Sequence, residues 1–199
     1  MLTFAAAVFF LIITPGPGVL STAGVGSAFG RGPGTRYVGG LFIGQNLVSA
    51  TVISGLAAMV LADDRLRTVL FLLSVAYLLY LAARIALAGS RVAFIQRSRP
   101  PGLLGGVALQ IINPKAYAVN TTLFTGFSFL SDDLFSETVI KLLIMNAIWI
   151  PIHFLWLWAG IRLGQLDLPE RVHRMINVGM ALSMLLVVAL AIAAQMRPV

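Results

Sequence analysis

The chain has 199 residues, 59% of them hydrophobic and only 11% charged, with no cysteine and a mean hydropathy of +0.94. Soluble domains carry roughly 25% charged residues, so this composition excludes an ordinary soluble fold, and the missing thiols exclude disulfide frameworks, thiolate metal sites and iron–sulfur clusters. A net charge of +7 would point to nucleic acid in a soluble protein; in a chain this apolar, Lys and Arg read instead as topology signals, and no nucleic-acid partner is expected.

A bilayer crossing needs about 20 apolar residues. Apolar runs between charged breaks predict six crossings, at 2–27, 37–62, 67–89, 103–130, 138–161 and 175–195. Runs such as Val69–Leu73 and Met184–Ala194 do not alternate, which excludes transmembrane β-strands. The expected fold class is all-α integral membrane, one domain over 1–199. Met1–Ile13 lacks the basic start of a signal peptide and runs into Thr14-Pro15-Gly16-Pro17-Gly18 rather than a small-residue cleavage site, so it reads as half of a retained crossing. Loops one, three and five hold Arg31, Arg36, Arg84, Arg91, Arg97, Arg99, Arg162, Arg171 and Arg174. The opposite side holds fewer bases and most of the acids, including Asp132, Asp133 and Glu137. The positive-inside rule then places those three loops in the cytoplasm and both termini outside.

Two sequences interrupt their crossings: Thr14-Pro15-Gly16-Pro17-Gly18 in the first and Asn113-Pro114-Lys115-Ala116 in the fourth, with Pro15 and Pro114 99 residues apart. Proline has no N–H, so Pro15, Pro17 and Pro114 leave carbonyls one turn earlier without their usual donor, and in hydrocarbon such a group must be re-satisfied. Thr and Asn are N-cap residues, and proline suits the first helical position. Each break therefore reads as the start of a half-helix inside the membrane, whose free N–H groups favour an anion. Asn46 in the second crossing and Asn146 in the fifth, 100 residues apart, extend the match. Each half has three crossings, an odd number, so the second enters from the opposite side. The expectation is two inverted three-helix repeats, about 1–95 and 96–199, with helices 1 and 4 broken, an organisation of secondary transporters.

The candidate substrate-binding residues are Pro15, Gly16, Pro17, Gly18, Asn46, Asn113, Pro114, Lys115, Asn120 and Asn146. Lys115 is the one charge placed near the bilayer centre, where a lysine costs about 2.5–3.5 kcal/mol; it is either a partner for a substrate carboxylate or a structural group satisfying freed carbonyls. Asn113 reads first as a cap. Gln45 and Asn46 are about 100° apart on a helix, so at most one faces a central path, and the counterpart Asn146 favours Asn46. Gln45 and His153 are the candidates for coupling, His153 because imidazole titrates near physiological pH. Gly40-x-x-x-Gly44 and Gly102-x-x-x-Gly106 read as close helix contacts, with a homodimer face as the other use of such a motif. With two histidines, one of them in a loop, and no acid inside a crossing, no metal or other cofactor is expected.

These residues carry a resemblance. Pro15-Gly16-Pro17-Gly18, Gly40-Leu41-Phe42-Ile43-Gly44, Tyr77-Leu78-Leu79-Tyr80-Leu81 and Asn113-Pro114-Lys115-Ala116 resemble the LysE/RhtB family of amino-acid exporters. The resemblance implies a bacterial inner-membrane, multi-pass exporter of amino acids or related zwitterionic metabolites, driven by the proton gradient, and no enzyme. That family often places an acid directly after the second-helix glycine motif, where this chain has Gln45 and Asn46. The other classes to weigh are an exporter of metal or inorganic ions, which would need inward carboxylates or histidines, and a membrane-embedded enzyme, which would need a partner for His153.

Overall fold

In a computed structural model of the chain, the described residues are 1–14, 16–55, 64–86, 99–130, 132–166 and a set of helical positions between 171 and 189. Pro15, Arg91, Arg97 and much of the sixth predicted crossing lie outside them. Every element among the described residues is helical: α1 Leu2–Ile13, α2 Pro17–Phe29, α3 Arg31–Ile53, α4 Asp64–Ala86, α5 Gly102–Ile112, α6 Pro114–Thr125 and α7 Leu134–Gln165.

The first predicted crossing is two helices, α1 and α2, that meet at a bend of 51°, and the fourth is α5 followed by α6. Among the described residues α7 alone is long and apolar enough to cross a bilayer, and α1 with α2 would together make a second such span. The second predicted crossing begins earlier than its apolar run, at Arg31. Gly30 takes φ 77° and turns the chain in one residue, a conformation that favours glycine, and Pro33 is tolerated within the first turn of α3.

The two halves interlock. The largest helix–helix interfaces are α3 with α5 and α2 with α7, and each joins a helix of the first half to one of the second. Small residues make both possible. A methyl group on Gly40 would collide with the Leu103 carbonyl, one on Gly106 with the Tyr37 carbonyl, and one on Gly160 with the Ala23 carbonyl. The Gly40, Gly44 and Gly106 faces are thus used inside the chain, whereas a methyl on Gly102 would meet nothing within 4 Å. In α2 every residue from Pro17 to Gly26 is buried.

Polar side chains lie inside beside an apolar core, and large apolar side chains also cover the outside. Gln45, Ser49, Gln110, Asn113, Asn120 and His153 are buried, while Leu104 and Phe135 are each 79% exposed and Leu143 is 64% exposed. At one end, Glu137 and Lys141 form a buried ion pair of 2.6 Å on α7. Glu137 accepts the Phe129 and Leu130 N–H groups, and Lys141 donates to the Phe124 and Phe127 carbonyls. This pair ties the α6–α7 connection down against Phe4 of α1, whose ring lies 5.7 Å from that of Phe127.

Candidate functional site

The breaks are built differently. At the first, the Thr14 N–H and Oγ1 both donate to the Phe10 carbonyl, at 3.2 and 2.6 Å, so Thr14 closes α1 rather than opening α2. The N-cap of α2 is Gly16, fully extended at φ −161° and ψ 179°, with Pro17 at the first helical position. A residue before proline avoids the helical region, and Gly16 stands before Pro17; this delays the restart by two residues from the expected Thr14-Pro15. At the second break one residue suffices. Asn113 leaves the helix, and its Oδ1 accepts the Lys115 N–H at 3.1 Å, the cap expected of it.

The two breaks meet around one cavity. It is lined by Leu11, Ile12 and Thr14 of the α1 end, Gly16, Gly18 and Val19 of the α2 start, Gln45 of α3, Gln110 of α5, Asn113 between α5 and α6, Lys115, Ala116 and Val119 of α6, and Trp149 and His153 of α7. It offers about 50 Å³ to the centres of water molecules, against roughly 10–15 Å³ needed for one water, so it has room for several waters or a small polar ligand.

Among the described residues on the wall, Lys115 is the one lysine, arginine, aspartate or glutamate. Its Nζ donates to the Thr14 carbonyl at 2.7 Å, so one of three ammonium donors satisfies the broken first helix and ties the two breaks together. Gly16 lies under the lysine: a methyl there would sit 2.8 Å from Lys115 Cδ and 3.0 Å from Nζ. From the cap a row of amides crosses the cavity. Asn113 Nδ2 donates to Gln110 Oε1 at 3.0 Å, and Gln110 Nε2 donates to Gln45 Oε1 at 2.9 Å. Gln45 Nε2 ends the row against Met145 Sδ at 3.7 Å and Ser49 Oγ at 3.5 Å. On α7, His153 Nδ1 lies 3.0 Å from the Trp149 carbonyl, and the two rings stack with centroids 3.5 Å apart.

No family model, characterised protein or solved structure matches the chain.

Of the residues singled out in the sequence, Gly16, Gly18, Gln45, Asn113, Lys115 and His153 gather on this cavity. Pro17 and Pro114 start the two half-helices that frame it, and Pro15 lies outside the described residues. Three others sit elsewhere. Asn46 and Asn146 bond each other reciprocally, at 3.2 and 3.0 Å, so of the neighbours Gln45 and Asn46 it is Gln45 that faces the cavity. Asn120 accepts from Ser49 Oγ at 2.7 Å and donates to the Ala116 carbonyl at 2.7 Å. Sequence reasoning missed Gln110 and Trp149. Each carried a signal: Gln110 is an amide within an apolar run three residues before Asn113, and Trp149 is one helical turn before His153.

Three pairs of positions about 100 residues apart touch. Gly16 meets Lys115, 99 residues on; Gln45 meets Met145 and Asn46 meets Asn146, each 100 residues on. Among the described residues no three of His, Asp and Glu gather closely enough to hold a metal ion.

Proposed function

We propose that the chain is a six-helix membrane transporter, two inverted three-helix halves exporting amino acids or similar small zwitterions from the cytoplasm, akin to the LysE/RhtB exporters that it resembles. The observation that carries this reading is the meeting of two helix breaks, 99 residues apart in sequence, around one cavity where Lys115 is the one lysine, arginine, aspartate or glutamate among the described residues. The exposed apolar surface supports a bilayer setting, because lipid rewards apolar side chains outside, while polar groups find partners only within the bundle.

In this reading the substrate carboxylate lies between Lys115 Nζ and the start of α2. Gly18 and Val19 have free N–H groups there as the first residues of a helix without a side-chain cap, and the helix dipole adds partial positive charge. Gly18 lets the ligand approach the backbone. The halves then alternate the cavity between the cytoplasm and the outside of a bacterial inner membrane, with both termini outside.

Counterflow in proteoliposomes tests the reading. Vesicles loaded with one unlabelled amino acid are expected to accumulate the same labelled amino acid transiently, for at least one member of a broad panel. Absence of counterflow across the whole panel overturns it.

A further inference from the structure

The reading above gives the carboxylate a partner and leaves the ammonium without one. The Thr14 carbonyl at the first break already accepts from Lys115, and among the described residues the cavity wall carries no carboxylate. His153 fills the gap. A carbonyl oxygen only accepts, so the contact of 3.0 Å between Nδ1 and the Trp149 carbonyl assigns the ring proton to Nδ1. Nε2 of the neutral ring is then a bare acceptor. His153 is 3% exposed, its ring is held by the stack on Trp149, and Nε2 has no partner among the described residues. That atom points to Gly18: a methyl on Gly18 would sit 3.3 Å from it, and 3.8 Å from Gln110 Oε1.

Gly16 lies under Lys115 Nζ and Gly18 lies under His153 Nε2. Two residues apart, their Cα atoms are separated by at most about 7 Å. A cationic donor and a neutral acceptor thus flank one short stretch of backbone, the first suited to a carboxylate and the second to an ammonium. We propose that His153 Nε2 accepts the substrate's ammonium group, and that a proton and the ammonium compete for that atom.

The consequence is an exchange. With Nε2 unprotonated the site takes the zwitterion. A proton arriving at Nε2 turns the acceptor into a donor and places an imidazolium against the ammonium, which leaves with all its own protons. Loss of the proton from Nε2 on the other side restores the acceptor. One proton moves in for each zwitterion moved out, and no intramembrane acid is needed. Among the described residues, the charged group facing His153 is Lys115 of α6; α1, α2, α3 and α5 present Thr14, Gly18, Gln45 and Gln110, which do not titrate. On α7 itself the nearest charge is Arg162, nine residues or about 13.5 Å along the helix.

This inference rests on the transport reading, and counterflow separates the two: a protein without counterflow fails that reading, whereas one with counterflow of the wrong pH behaviour fails this inference alone. The test is the pH dependence of counterflow of a neutral amino acid by the wild-type protein. Competition at one atom predicts that KM rises as pH falls, approaching tenfold per pH unit below the imidazole titration, while kcat stays constant. A falling kcat at constant KM, or no pH dependence at all, overturns it. The matching 2-hydroxy acid, which has no ammonium, is expected to lack the acid-induced rise in KM when it replaces the amino acid; an equal rise overturns the assignment of the ammonium to His153. In His153→Gln the ring is gone and the remaining activity is expected to be flat in pH; a profile like that of the wild type also overturns it.

Discussion

Lys115 has two duties, and they separate by measurement. One ammonium donor holds the Thr14 carbonyl, which in an apolar surrounding is costly to leave unpaired; the remaining donors are available to a carboxylate. A charge-assisted hydrogen bond contributes about 1.5–3 kcal/mol. Lys115→Met is therefore expected to raise KM for amino-acid counterflow by about 10- to 150-fold, and to lower the unfolding temperature in detergent because Thr14 loses its partner. A lowered melting temperature with unchanged KM would leave the lysine a purely structural role. A second residue-scale prediction concerns Asp133, which caps α7 by accepting the Ser136 N–H at 3.0 Å. Hydrogen bonding from Ser136 holds its carboxyl below the usual carboxylate value. A depressed folded pKa means that the stabilisation is complete above the unfolded value near 3.8 and is lost as pH falls through the lower folded value. Asp133→Asn, which still caps, is expected to remove this part of the acid sensitivity of the melting temperature while leaving stability at neutral pH nearly unchanged.

At the scale of elements, the pairs between the first and second halves of the chain decide how firmly those halves hold each other. Asn46 and Asn146 exchange two hydrogen bonds between α3 and α7, so removing either costs the other both of these bonds, although Asn46 Nδ2 also donates to the Phe42 carbonyl. Asn46→Ala and Asn146→Ala are each expected to destabilise, and the double variant to be more stable than the sum predicts, by about 0.5–1.7 kcal/mol as found for buried interhelical bonds in membranes. Additive losses in a double-mutant cycle would show that the pair is not coupled. Much of this level was legible in the sequence. Proline and asparagine grammar located both breaks, and the fixed offset of about 100 residues linked Asn46 to Asn146 before any contact was known. What the sequence concealed was direction. Gln45 and Asn46 differ only by the rotation of one residue, and the α3–α5 interface, fitted through Gly40, Gly44 and Gly106, sets which of them faces the cavity. The delayed restart at Pro17 was hidden for a similar reason: Thr14 has the chemistry of a cap, but two prolines spaced by one residue decide where a helix can resume.

For the whole molecule, the proposed inversion of the two halves makes one prediction about sidedness. An odd number of crossings per half requires that repeat-related positions near the helix ends lie on opposite sides of the membrane, so the first turns of α3, near Arg36, and of α7, near Glu137, should face opposite compartments. The basic loops place Arg36 in the cytoplasm. The chain has no cysteine, so a single introduced thiol reports without background. Exposed positions beside those ends serve best: Arg31→Cys at the start of α3 and Asp132→Cys before α7. A membrane-impermeant maleimide added to intact cells is expected to label Asp132→Cys and spare Arg31→Cys until the membrane is opened. Labelling of both from outside would contradict the inverted repeat, because two parallel halves carry equivalent ends to the same side. Labelling of Arg31→Cys alone would keep the inversion and reverse the orientation read from the basic loops, while leaving the cavity chemistry of Lys115 and His153 as it is.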